Sequence, residues 1–167
     1  LRQWQVPEKI YALAVTPDGK YLASGGPDNL ITLREVTTGK QVQIFTGHKE
    51  SIAEGGLSFS PNGKLLASGA YDNTARLWEV QSGKIRHILT GHTNDVESVT
   101  FSPDGKLLAT SSDDNSVRIW DVNTGETRNM LTGHQNRVYG IRFVQGSHYL
   151  ISASFDSTLR LWDIDSG

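Results

Sequence analysis

The sequence contains no cysteine, which removes disulfide frameworks and thiolate metal or redox centres from consideration. No apolar run approaches the ~18 residues of a membrane-spanning helix, and LRQWQVPEK at the N-terminus has no signal-peptide core. Charge of one sign is missing too: 16 Lys and Arg face 18 Asp and Glu, for a net −2, and the two signs are interspersed. A nucleic-acid or anionic-membrane surface needs a basic face, so neither partner is expected. Nothing in the apolar spacing has a helical period. The chain does not open on Met, which points to a piece cut or processed from something longer. What is left is a soluble, cytoplasmic chain without redox chemistry. At 167 residues it is about one domain, able to bury roughly 70% of its unfolded surface.

What the chain does have is self-similarity. SSDDNSVRIWD, Ser111 to Asp121, has close relatives in AYDNTARLWE, ending at Glu79, and SFDSTLRLWD, ending at Asp163. A weaker fourth, GPDNLITLRE, ends at Glu35. The aspartates Asp28, Asp72, Asp114 and Asp156 recur at intervals of 44, 42 and 42 residues. Four residues before each stands a small hydroxyl: Ser24, Ser68, Thr110 and Ser152. Six residues after each stands Arg34, Trp78, Trp120 or Trp162. Gly47-His48, Gly91-His92 and Gly133-His134 open three of the copies. From His to hydroxyl is 18 residues in the last two copies and 20 in the second. A single Trp-Asp pair would mean little; four anchor positions in register mark a repeat architecture.

Within a copy the local chemistry reads as strands and hairpins. VESVTF and VYGIRF alternate apolar with polar residues, as half-buried strands do. TPDGK, SPNGK and SPDGK follow first strands, with Pro presetting one turn dihedral and Asp-Gly or Asn-Gly supplying a positive φ. A second strand (LLATS, LLASG, YLASG, YLISA), a turn holding the repeated Asp, and a third strand (SVRIW, TARLW, TLRLW) come next. TTG, QSG and NTG then turn into a fourth strand such as TRNMLTG. Each copy is a four-stranded antiparallel meander of about forty residues.

The sequence resembles the WD-repeat family of β-propellers, whose signature is a Gly-His to Trp-Asp repeat folding as one blade. The resemblance covers nearly the whole chain. It is strongest in copies three and four, interrupted in copy two by two extra residues in KESIAEGGLSFS, and degenerate in copy one, where Val6 replaces His and Arg34 replaces Trp. It implies an all-β fold: a single propeller domain over 1–167 with four four-stranded antiparallel blades at about 5–46, 47–90, 91–132 and 133–167. Leu1 to Trp4 occupy the register of a fourth strand ahead of the first blade, suited to completing a last blade. Such rings usually hold about seven or eight blades. The expectation is therefore a homodimer, two chains joined head to tail in an eight-bladed ring. An excised half of a longer propeller and a closed four-bladed monomer are the alternatives.

The family also implies roles for the repeated residues. In each blade the Asp would hold the His, the His the hydroxyl, and the hydroxyl the indole N–H. The sets are His48, Ser68, Asp72, Trp78; His92, Thr110, Asp114, Trp120; and His134, Ser152, Asp156, Trp162. Ser, His and Asp are also the parts of a nucleophilic triad, but triads are recognised by geometry. Three near-identical sets at a fixed period read as a structural device, and no G-x-S-x-G elbow is present. The histidines fall on separate blades, whereas a shared metal needs every ligand within ~2.1 Å of one ion. None of the five Gly-Lys pairs is followed by Ser or Thr, so no phosphate loop is indicated. Neither a metal nor another cofactor is expected. His87 and His148 read as surface or half-buried strand and turn residues.

Surface remains. In the resembled family the loops joining fourth to first and second to third strands form a rim that binds proteins or peptides. The matching positions here are Lys9, Tyr11 and Pro27; Ser51, Ala53 and Tyr71; Asp95, Glu97 and Asp113; and Arg137, Tyr139 and Phe155. Aromatics, an Arg and an acidic cluster on one face have the composition of an interaction hot spot. The sequence thus points to a non-enzymatic scaffold for a protein or peptide. A structural self-assembly module is the alternative, as is an interaction domain cut from a larger multidomain signalling protein or enzyme. The extra residues of KESIAEGG are expected to bulge at the rim beside Tyr71.

Overall fold

The computed structural model describes residues 3–6 and 9–167, and every regular element in it is a β-strand. The first blade is β1 (Ala12–Val15), β2 (Tyr21–Gly25), β3 (Ile31–Glu35) and β4 (Gln41–Phe45). The second is β5 (Ile52–Phe59), β6 (Leu65–Ala70), β7 (Ala75–Glu79) and β8 (Ile85–Leu89). The third is β9 (Val96–Phe101), β10 (Leu107–Ser112), β11 (Val117–Asp121) and β12 (Thr127–Leu131). The fourth has β13 (Val138–Phe143), β14 (Tyr149–Ser154) and β15 (Leu159–Asp163). Within each blade neighbours pair antiparallel in chain order.

The turns follow from their residues. Gly19, Gly63, Gly105 and Gly146 close the first hairpins at φ of 68–72°, where a Cβ would be strained. In the second turns Asn29, Asn73, Asn115 and Ser157 take φ of 64–69°. The preceding Asp caps each turn by accepting from the amide two residues on: Leu30, Thr74, Ser116 and Thr158. This is the Asx-turn geometry that makes Asp-Asn a good tight-turn pair.

The core is three layers, one between each pair of neighbouring blades. Ala23, Ile31 and Leu33 of the first blade meet Leu66 and Trp78 of the second. Ala67 and Leu77 meet Leu108 and Trp120, and Ala109 and Ile119 meet Leu150 and Trp162. Each Trp therefore seals its blade against the preceding one; Phe45 meets the Trp78 ring edge-on at 5.6 Å. One blade alone would leave both faces wet, so the repeat is the unit of burial. The outermost faces have no such neighbour. Leu13 is 62% exposed on the first blade, and Leu159 and Leu161 are 75% and 62% exposed on the last.

Two expectations need adjusting. The additional residues of the second copy form a bulge inside β5: Ile52 pairs with Ala70 but Leu57 with Ser68, leaving 53–56 opposite Gly69. Gly55 then bridges to Ser98 of β9, which fuses the second and third blades into one eight-stranded sheet. The bulge is thus built into the innermost ladder. Of the fourth strand expected at Leu1 to Trp4, the first two residues lie outside the described ones, and Gln3 and Trp4 are not in a strand. Trp4 nevertheless sits against Gly39, as Gln43 sits against Gly83 and His87 against Gly125.

Candidate functional site

The repeated polar residues meet in three buried hydrogen-bonded chains. In the second blade the Trp78 indole N–H donates to Ser68 Oγ at 2.7 Å, and Ser68 Oγ lies 2.7 Å from His48 Nε2. His48 Nδ1 lies 3.0 Å from Asp72 Oδ2. The third blade repeats this through Trp120, Thr110, His92 and Asp114 at 2.9, 2.8 and 2.7 Å. The fourth does so through Trp162, Ser152, His134 and Asp156, each step at 2.7 Å. An ionised Asp only accepts, so Nδ1 carries the proton and Nε2 of the neutral ring accepts from the hydroxyl. Every group in the chain is then satisfied in one direction.

Thr74, Ser116 and Thr158 add a hydroxyl to the second oxygen of each Asp at 2.6 Å. Burial pushes the carboxyls of Asp72, Asp114 and Asp156 up. The hydrogen bonds from these hydroxyls, the His rings and nearby backbone amides outweigh it and hold all three well below the carboxylate range. Burial in turn lowers His48, more than Asp72 raises it. Ser68, Thr110 and Ser152 are fully buried, and their lone pairs already accept an indole proton, so no substrate reaches them as nucleophiles. The degenerate first blade has no such chain among its described residues. Arg34 donates instead to Gly39 O at 3.4 Å, and Asp28 caps only its own turn.

The rim residues are gathered by a second repeated device. The amides of Tyr71, Asp113 and Phe155 donate to the carbonyls of Ser51, Asp95 and Arg137, each at 3.0 Å, so the two loop types of a blade lie side by side. Across blades, Arg137 Nη1 reaches Asp113 Oδ2 at 3.4 Å and stacks 5.1 Å from the Phe155 ring. Phe155 meets Tyr139 edge-on at 5.0 Å. Oxygens of Asp95, Glu97 and Asp113 lie within 4.8 Å of one another. Burial, then Asp113 and Asp95, push Glu97 up to about 7. Burial, then Glu97, Glu54, Asp95 and Asp113, push Tyr71 up to about 12. Seven of the expected rim residues are thus brought together: Tyr71, Asp95, Glu97, Asp113, Arg137, Tyr139 and Phe155. Lys9 and Tyr11 are exposed on the first blade, and no described contact joins them to this group. Ala53 is a correction: it is fully buried, because the β5 bulge shifts the register and puts Glu54 near Tyr71 in its place.

The family model of the WD domain, G-beta repeat, matches the chain four times, over residues 2–33, 39–79, 83–121 and 125–163. The chain belongs to the WD-repeat family. Among curated proteins, this WD-repeat chain is similar to U3 snoRNP-associated protein-like YAOH of Oryza sativa subsp. japonica, 46% identical over 46 residues. That stretch is 28% of the chain and 9% of the rice protein. U3 snoRNP-associated protein-like YAO of Arabidopsis thaliana is 45% identical over 42 residues, 25% of the chain and 8% of that protein. The similarity thus extends over about one repeat and less than a tenth of each relative. Among the described residues no helix is long and apolar enough to cross a membrane.

One set of residues in the WD-repeat blades escapes a reading by spacing alone. Arg76, Arg118 and Arg160 stand two residues before each Trp, with their guanidinium carbons 5.7–6.0 Å from the indole rings. Each lies over the glycine of the Gly-His pair, where a Cβ on Gly47, Gly91 or Gly133 would collide with it. These glycines sit at φ of 148–153°, so the backbone favours glycine there, and a Cβ would also displace the guanidinium laid across each. The signal was present, since Arg recurs at this place in three copies. In a strand alternating in and out, however, it reads as a solvent-facing residue.

Proposed function

We propose that the chain is a non-enzymatic scaffold that docks a protein or peptide on the loop rim of its second, third and fourth blades. The observation that carries this reading is the continuous group running from Tyr71 through Glu97 and Asp113 to Arg137, Tyr139 and Phe155. Two of its aromatic rings are at least half exposed, Phe155 in the turn after β14 and Tyr139 near the start of β13. The interior supports it from the other side, because every Ser–His–Asp set is closed to solvent. The groove of about 630 Å³ between the first two blades, lined by Tyr21, Leu33, Val42, Lys64, Glu79 and Arg86, offers no nucleophile beside a base. The rice and Arabidopsis relatives are named for association with a U3 snoRNP. A ribonucleoprotein partner, and a nuclear setting in place of the cytoplasm, is accordingly one form this scaffold role takes; its docking face would still be a protein, given the net charge of −2. Tyr71→Ala/Phe155→Ala tests the proposal: the double variant should stay folded and lose the proteins retained by the wild-type chain. Unchanged retention by the double variant overturns it.

A second reading, self-association, is favoured by the end faces. The positions of Leu159 and Leu161 correspond to Ile31 and Leu33, which the second blade buries. Trp4 already holds the place of Gln43 and His87 against the following blade's turn glycine. Two chains stacked head to tail would bury both end faces and lend residues 3–6 of each to the open edge of β15 in the other, as an eight-bladed ring. Light scattering should then give about twice 18.4 kDa; a stable monomer at micromolar concentration excludes the ring.

A further inference from the structure

The proposal that follows rests on the rim as a docking face and names what docks there. We infer that the rim selects a peptide with a lysine flanked by apolar residues, the ammonium seated among Asp95, Glu97 and Asp113 and its neighbours lying on Tyr139 and Phe155. Two independent features meet at this place. The first is apolar: Tyr139 is 50% and Phe155 60% exposed, and the two rings form an edge-to-face platform of the kind that anchors interfaces. The second is charge. Among the described residues Arg137 is the one cation paired within the group, by its contact with Asp113. Against it stand Asp95, Glu97 and Asp113, with Glu54 and Glu50 close enough to act on Tyr71 and Asp95. Asp113 Oδ1 is buried and accepts from no N–H or hydroxyl group; its neighbour oxygen has Arg137, and the carboxyl's remaining contact is with Glu97.

The spacing narrows the cation. Three oxygens no more than 4.8 Å apart lie around a point no farther than about 2.8 Å from any of them, within reach of charge-assisted N–H···O bonds. An ammonium offers three donors around one nitrogen, whereas a guanidinium offers a flat fork suited to a single carboxylate. The Glu97–Asp113 contact is carboxyl to carboxyl and holds only with a proton between them. An incoming ammonium replaces that proton, so binding tightens as pH rises through the range where Glu97 gives it up. Tyr71, pushed up to about 12, stays neutral there.

The test uses the whole chain, immobilised, and four pools of capped pentapeptides with mixed flanks and a fixed central Lys, Nε-acetyl-Lys, Arg or Glu. The Lys pool should be retained at least about tenfold over the acetyl-Lys and Glu pools, and severalfold over the Arg pool. Between pH 6 and pH 8 its affinity should rise by up to about tenfold, the limit for one group titrating near neutrality. Glu97→Gln should weaken retention and flatten the pH profile, while Arg137→Ala should strengthen it, an opposite sign that mere misfolding does not produce. Equal retention of the Lys and acetyl-Lys pools, dependent on Phe155, leaves the rim as a docking face and overturns the selection for lysine. Equal retention of all pools, indifferent to Phe155→Ala, overturns the docking face as well. A calcium-dependent signal at the cluster that excludes the Lys pool overturns the ammonium in favour of a metal.

Discussion

At the scale of single residues, the interior chains behave as linked donors and acceptors, and their breakage has a definite cost. Trp120→Phe keeps most of the apolar bulk but removes the proton that Thr110 accepts. The expected loss is about 1–3 kcal/mol, the cost of a buried group left without its partner. Arg34→Phe in the first blade should cost much less, since no His completes a chain there; equal melting shifts at both positions would refute the chain as the source of the effect. Acid acts on the same groups. Asp72, Asp114 and Asp156 are held below their unfolded range, so their contribution is complete above about pH 4 and fades as pH falls below it. His48 is lowered as well, so its contribution starts to fall below about pH 6.5, where the unfolded ring takes up a proton that the folded one refuses. Glu97, held up to about 7, acts in the opposite sense over that range because the folded chain keeps a proton the unfolded one gives up. Thermal melts should therefore change little from pH 8 to pH 5 and drop steeply below about pH 4. Asp114→Asn should melt lower at neutral pH and lose less on going from pH 5 to pH 3. These chains were legible in the sequence because their members recur at fixed spacing. The crowding of Glu97 against Asp113 and the reach of Arg137 across a blade boundary were not, since the packing of one blade on the next is absent from a linear repeat.

At the scale of elements, β5 shows where linear reasoning stops. Counting residues between His48 and Ser68 revealed the insertion, and loops are where insertions cost least. The chain instead absorbs it as a bulge within a strand, because Gly55 and Gly56 allow backbone to approach backbone. A Cβ at position 56 would lie 2.5 Å from Gly69 O and 2.8 Å from Ala53 O, and one at 55 would lie 2.9 Å from Glu97 O. Only such close approach makes the bridge to β9. Gly56→Ala should therefore destabilise by about 1–3 kcal/mol, as overpacking does; a melting temperature equal to wild type would show that the bulge is free to relax. Hydrogen exchange checks the same element. The amide of Glu54, in the bulge opposite Gly69, should exchange at least tenfold faster than those of Val96–Val99, and equal protection would contradict the bulge. The other described strands begin and end close to where their turn residues place them, because each hairpin is set by neighbours in the chain.

At the scale of the whole molecule, the repeats fix how blades stack and leave the ends to be satisfied from outside. Leu13 and Leu159 sit on the two end faces, so Leu159→Lys should keep the chain folded while preventing self-association at micromolar concentration. A dimer that persists in this variant would place its interface elsewhere. The number of blades in a closed ring was never legible, because nothing local to a blade counts its neighbours. The indoles that seal the blades offer a way to see the ends directly. Trp78, Trp120 and Trp162 each report one blade interface, and replacing Trp4 and any two of the others with Phe leaves a single emitter per chain. An open row of blades comes apart from its ends like a zipper. The emission of Trp162, 8% exposed at the last interface, should then shift to the red at lower denaturant than that of Trp120, 2% exposed at the middle one. A ring has no end from which to start, and its three colours would change together.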